Sequence, residues 1–163
     1  MKEFFTAMFS GNNLAILGAA LATFLAGIGS AKGVNLVAKA TAGLISEEPD
    51  KFGKAFLLQA LPMTQGIYGL VTAFMILFKI GMIGGGEVVQ LTVSQGAYYL
   101  FAALPIAICG LYSAIKQGEV AAAGIAVVAK KPDAAGKAVI SASLVETYAI
   151  LAVLVSVLLV LFA

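Results

Sequence analysis

The chain is built from long apolar runs separated by short polar breaks. Four apolar segments can be drawn, from about Asn12 to Ser46, Phe52 to Ile80, Thr92 to Ala129 and Asp133 to Ala163. Each exceeds the ~20 residues that a helix needs to cross a bilayer. A helix of ~30 residues is about 45 Å long, so such helices would span and protrude on one side. Glu47-Glu48-Pro49-Asp50-Lys51 and Lys130-Lys131-Pro132-Asp133 read as tight polar turns, because Pro cannot continue the preceding helix. The stretch from Gly81 to Gly86 reads as a flexible link. The pattern predicts an all-α membrane protein with four transmembrane helices in two tandem hairpins. The first hairpin takes residues 1–80, the glycine-rich linker 81–91, and the second hairpin 92–163.

The two halves repeat with a constant offset of 83. Gly27, Ser30 and Ala31 fall on Gly110, Ser113 and Ala114. Pro49-Asp50 falls on Pro132-Asp133, Gly53-Lys54-Ala55 on Gly136-Lys137-Ala138, and Leu61 and Thr64 on Leu144 and Thr147. No gap is needed. Both hairpins run the same way, so this is a parallel duplication and not an inverted repeat.

Composition narrows the class. The 163 residues are 61% hydrophobic and only 11% charged, where a soluble domain is about 25% charged. The net charge of +2 is small and all ten positive residues are Lys, so nucleic acid binding has no footing. There is no His, and Cys109 stands alone, so neither a disulfide framework nor a structural zinc site is expected. Met1-Lys-Glu-Phe-Phe leads into the first segment without a convincing cleavage site, so that segment is read as retained. Lys39, Lys51, Lys54, Lys130, Lys131 and Lys137 gather around the two Pro-Asp turns, while Lys2 and Lys79 lie at the opposite ends. The positive-inside rule places both turns in the cytoplasm and both termini outside. Small residues crowd segments one and three and let backbones approach closely in lipid. They suit the inner wall of a homo-oligomeric ring, with segments two and four outside.

The chemistry centres on Glu146. It lies inside an apolar run, and no other acidic residue follows Asp133. A carboxylate at membrane depth costs roughly 2.5–3.5 kcal/mol on insertion scales, which marks it as functional. In segment two, Leu61, Thr64, Gln65 and Tyr68 share one helical face. Pro62 has no N–H, so the carbonyl of Leu58 loses its helix partner. Gln117 lies one turn from Ser113 in segment three. Together these offer a carbonyl, a hydroxyl, two amide oxygens and one carboxylate, an oxygen cage of the kind hard cations take. One carboxylate matches one monovalent cation, and a proton would need no amide ligands, so Na⁺ is favoured over H⁺. Thr64, Gln65 and Gln117 could instead simply bond helices together. The repeat sets Met63 opposite Glu146, so each pair of hairpins carries one ion, a ratio suited to a pump driven by ATP.

Leu-Pro-x-Thr-Gln-Gly-x-Tyr-Gly at 61–69, Gln-Gly-x-Val-Ala-Ala-Ala-Gly at 117–124 and Leu-Val-Glu-Thr-Tyr-Ala-Ile at 144–150 resemble the rotor-ring proteolipid, or c/K subunit, of V-type ATPases. The bacterial sodium-translocating branch is the most similar, and the resemblance covers nearly the whole chain. It implies a ring of identical subunits in the cell membrane, surrounded by lipid. The ring turns against a membrane stator subunit, with a soluble central-stalk subunit at the Pro-Asp loops. It implies Na⁺ held by Thr64, Gln65, Gln117, Glu146 and the Leu61 carbonyl, with Tyr68 hydrogen-bonding Glu146. Met63 departs from the sodium type, which carries Gly there. The chain itself would be non-catalytic. Gly27-Ile-Gly-Ser-Ala-Lys32-Gly33 lacks phosphate-loop spacing and lies in a membrane helix, so no nucleotide site is read. Lys32, Lys116 and Glu119 read as ring-lining or headgroup-facing residues. An H⁺-coupled version of the same rotor is the nearest alternative; a structural or pore-forming proteolipid is another, but it would need no oxygen cage.

Overall fold

A computed structural model describes residues 9–163. Lys2 and the start of the chain lie outside them. Helix α1 spans Gly11–Glu47, and α4 spans Val93–Lys130. The second span is broken into α2 (Phe52–Ala60), a 3₁₀ turn (Leu61–Met63) and α3 (Thr64–Lys79). The last is α5, Ala135–Leu161. All four spans are long and apolar enough to cross a membrane. The break in the second falls at Pro62, which lacks the N–H an α-helix would use there. Pro105 lies inside α4 without interrupting it.

The duplication is visible in the backbone. Ser10 caps α1 by accepting from the Asn13 N–H, and Thr92 caps α4 in a reciprocal box with Gln95. At the other ends, Glu48 N–H donates to the Leu44 carbonyl and Lys131 N–H to the Val127 carbonyl. Glu48 (φ −134°, ψ 75°) and Lys131 (φ −142°, ψ 76°) take the same non-helical conformation before their prolines. A 3₁₀ turn follows each. Lys51 ties the first loop to the end of α4: it pairs with Glu48, and its ammonium donates to the Ala129 carbonyl at 2.6 Å. That carbonyl is in the last turn of α4, where no helical donor exists and a cation is favoured.

The linker is a built connection rather than a slack one. Gly81, Gly84 and Gly85 adopt positive φ, which is why glycine is needed there. Asn12 pins the segment with both ends of its amide, donating to the Val89 carbonyl at 2.8 Å and accepting from the Leu91 N–H at 3.0 Å.

The most extensive packing is between α1 and α4. It is backbone on backbone. A Cβ on Gly18 would meet Leu100 Cα at 2.8 Å, and one on Gly118 would meet Gly33 Cα at 2.5 Å. Two apolar clusters result. One, toward the linker, holds Ala19, Ile76, Ile106 and Val160. The other, toward the Pro-Asp loops, holds Val37, Leu58, Val128 and Ala142. Between them each span contributes polar side chains: Ser30, Gln65, Ser113 with Gln117, and Glu146.

Candidate functional site

The sequence-predicted residues converge in that polar layer. Glu146 on α5 is half-buried. Tyr68 on α3 donates its hydroxyl to Glu146 Oε1 at 2.7 Å. Gln117 on α4 donates Nε2 to Oε2 at 3.2 Å. Gln117 in turn accepts from Gln65 Nε2 at 2.6 Å, and Gln65 accepts from the Thr64 hydroxyl at 3.3 Å. Five side chains from three spans therefore form one connected chain ending on a carboxylate. Gln65 and Gln117 are fully buried. Buried polar groups of this size are costly unless partnered, and each finds its partner in this chain.

Leu61 enters through its backbone. Its carbonyl accepts from the Thr64 hydroxyl at 3.1 Å and from the Thr64 N–H that closes the 3₁₀ turn. The missing N–H of Pro62 would, in a regular α-helix, free the Leu58 carbonyl. The structure puts the carbonyl beside the polar residues at Leu61, because the chain tightens to 3₁₀ geometry at the proline and turns that oxygen to Thr64. The Leu58 side chain belongs to the apolar cluster nearer the loops.

Two positioning residues were not singled out for this role by the sequence reading. Ser113 accepts from Gln65 Nε2 at 3.4 Å and donates to the Val145 carbonyl at 3.0 Å, beside Glu146. Ser30 accepts from the Gly66 N–H at 2.8 Å and donates to the Met63 carbonyl at 3.4 Å. They tie α4 to α5 and α1 to α3 at the same level. The repeat carried the signal, since Ser30 and Ser113 are 83 residues apart.

Among the described residues, no basic side chain balances the carboxylate. Of the two ion pairs there, one joins Lys51 to Glu48 and the other Lys116 to Glu119. Lys32, Lys116 and Glu119 are exposed. Met63 is exposed, and it is the carbonyl of that residue, not its thioether, that Ser30 engages. The polar layer can thus supply a single cation with one negative charge and several neutral oxygens.

The model of the family described as the C subunit of ATP synthase matches residues 17–76 and again 100–159. The chain belongs to this ATP synthase C-subunit family. Both ends of the second match lie 83 residues beyond those of the first, so each hairpin is one family unit. The chain is 48% identical to the V-type sodium ATPase subunit K of Enterococcus hirae over 163 residues, all of both chains. It is 42% identical over 146 residues to the A-type ATP synthase subunit K of Methanocaldococcus jannaschii, covering 90% of this chain and 61% of that one. Family members assemble as homo-oligomeric rings in membrane ATPases. With four spanning helices, this chain is a multi-pass rotor-ring subunit of that kind.

Proposed function

We propose that this protein carries Na⁺ across the membrane as its ring turns, coupled to ATP hydrolysis by the soluble part of a V-type ATPase. The observation that carries the reading is the hydrogen-bonded chain from Thr64 through Gln65 and Gln117 to Glu146, with Tyr68 closing it. Na⁺ is held by the Leu61 carbonyl, the Thr64 hydroxyl, the Gln65 and Gln117 amide oxygens and Glu146. These are hard oxygen donors with one net charge, which leaves the loaded site neutral. Loading exchanges the Gln65–Gln117 hydrogen bond for two amide contacts to the ion. Tyr68 keeps its bond to Glu146 Oε1 and fixes the carboxylate rotamer. A neutral site tolerates the low dielectric of lipid, whereas a bare carboxylate does not. Release therefore occurs where a membrane stator subunit offers the carboxylate a polar or charged surface. The Pro-Asp loops face the cytoplasm, where a central-stalk subunit docks, and both termini face outward. The chain has no catalytic role of its own. The name of the Enterococcus hirae relative supports sodium as the cargo.

The experiment is carbodiimide labelling of the purified ring across pH, with and without Na⁺. Carbodiimides attack protonated carboxyls, so labelling of Glu146 should fall as pH rises and fall further with bound Na⁺. Labelling indifferent to millimolar Na⁺ at every pH would assign the same rotor to H⁺.

A further inference from the structure

The duplication specifies how one copy meets the next. Within the chain, Gly11 packs on Thr92, Gly29 on Leu111 and Gly33 on Ala114. Each pair lies within two residues of the repeat offset of 83. Repeat-equivalent residues of α1 and α4 therefore sit at the same depth. The operation relating the hairpins is a rotation with almost no translation along the helices. A heterologous contact repeated by such a rotation closes into a ring and does not climb into a filament.

The same operation, applied once more, sets the second hairpin of one copy against the first hairpin of its neighbour. The faces it brings together are exposed in the single chain. On the inner wall, Gly18 packs on Leu100; the equivalent residues are Phe101, 65% exposed, and Leu17, 45% exposed. On the outer wall, Tyr68 meets Glu146; the equivalents are Leu151, 60% exposed, and Met63, 52% exposed.

We infer that the contact between neighbouring copies is an apolar counterpart of the ion site, with Met63 of one copy docked where its neighbour's Leu144, Tyr148 and Leu151 stand in for Leu61, Gln65 and Tyr68. The local frame survives. Thr147 bonds back to the Leu144 carbonyl at 2.7 Å as Thr64 does to Leu61 at 3.1 Å. The ligands do not survive. Tyr148 replaces Gln65, Val34 replaces Gln117 and Met63 replaces Glu146. This gives Met63 a role, because its unbranched thioether fills, at the seam, the space a carboxylate fills inside the chain. On the inner wall, Phe101 in place of Gly18 holds α4 of one copy a full side chain away from α1 of the next. The ring wall then alternates close contacts within chains and wider ones between them.

The test is disulfide cross-linking of intact rings in a Cys109→Ala background, oxidised with copper-phenanthroline. Met63→Cys with Leu151→Cys should give dimers and a ladder of multimers on denaturing gels, and so should Leu17→Cys with Phe101→Cys. Met63→Cys with Phe74→Cys, which the rotation keeps apart, should give monomers. Rings intact on native gels that release only monomers from the first two pairs overturn the proposal. Should a double variant fail to assemble, a benzophenone amino acid at Tyr148 is the second measurement. Attachment to the neighbour's α3 or its 3₁₀ turn upholds the docking, and attachment to lipid alone overturns it.

Discussion

Glu146 shows what a single side chain decides here. Its two oxygens have different partners, the Tyr68 hydroxyl on one and the Gln117 amide on the other. Glu146→Gln keeps the shape and removes the charge, so ATP-driven transport should be lost while the ring still assembles. Transport at the parent rate would remove Glu146 as carrier. Tyr68→Phe deletes a hydrogen bond to a charged group, worth roughly 1.5–3 kcal/mol. Radioactive sodium binding to the isolated ring should weaken by up to about two decades, at ~1.4 kcal/mol per decade. Gln65→Leu and Gln117→Leu each delete a proposed ion ligand and break the hydrogen bond between the two fully buried amides. Both should weaken sodium binding at least as much as Tyr68→Phe. If both glutamine variants bind sodium like the parent while Tyr68→Phe does not bind at all, the ligand set is wrong even if Glu146 is the carrier.

Among the elements, α1 and α4 pack most extensively against each other. Their contact depends on glycine at Gly33 and Gly118, where a Cβ would press within 2.3–2.5 Å of facing backbone. Facing backbone cannot step aside as a flexible side chain could. Gly118→Ala should therefore destabilise the protein by roughly 1–3 kcal/mol, and Gly118→Leu by more. Thermal dissociation of the ring in detergent would register both as lowered midpoints, in that order. Gly33 and Gly118 lie beside Pro62 and Gln117, so the loss should also reach sodium affinity. An unchanged midpoint in both variants would contradict the close α1–α4 approach.

For the whole molecule, orientation is the open test. Lysines cluster at the Pro-Asp end, and Lys51 ties the first loop to the last turn of α4 there. Asp50→Cys and Asp133→Cys should react with a membrane-impermeant maleimide from the cytoplasmic side alone. Labelling of both from the outside would invert the assignment.

The sequence by itself determined the four spans to within two or three residues at most ends, the break at Pro62, the duplication and the depth of the polar residues. These are legible because each is a local property. Apolar length sets a span, a missing N–H sets a break, and an unbroken offset of 83 ties the halves together. It also named Thr64, Gln65, Gln117 and Glu146, since polar groups in lipid stand out one residue at a time. Only the tertiary structure decided which atoms meet: that Gln65 reaches Gln117, and that Gln117 and Tyr68 take different oxygens of Glu146. The missing N–H of Pro62 alone pointed to the Leu58 carbonyl, whereas the family resemblance pointed to Leu61, whose oxygen meets Thr64. It likewise showed the glycine linker to be pinned by Asn12. Such pairings depend on how spans rotate against one another, and that rotation is set by backbone contacts at Gly18, Gly29, Gly33 and Gly118. A run of small residues announces close packing, but the partner of each is fixed only when all the helices are in place.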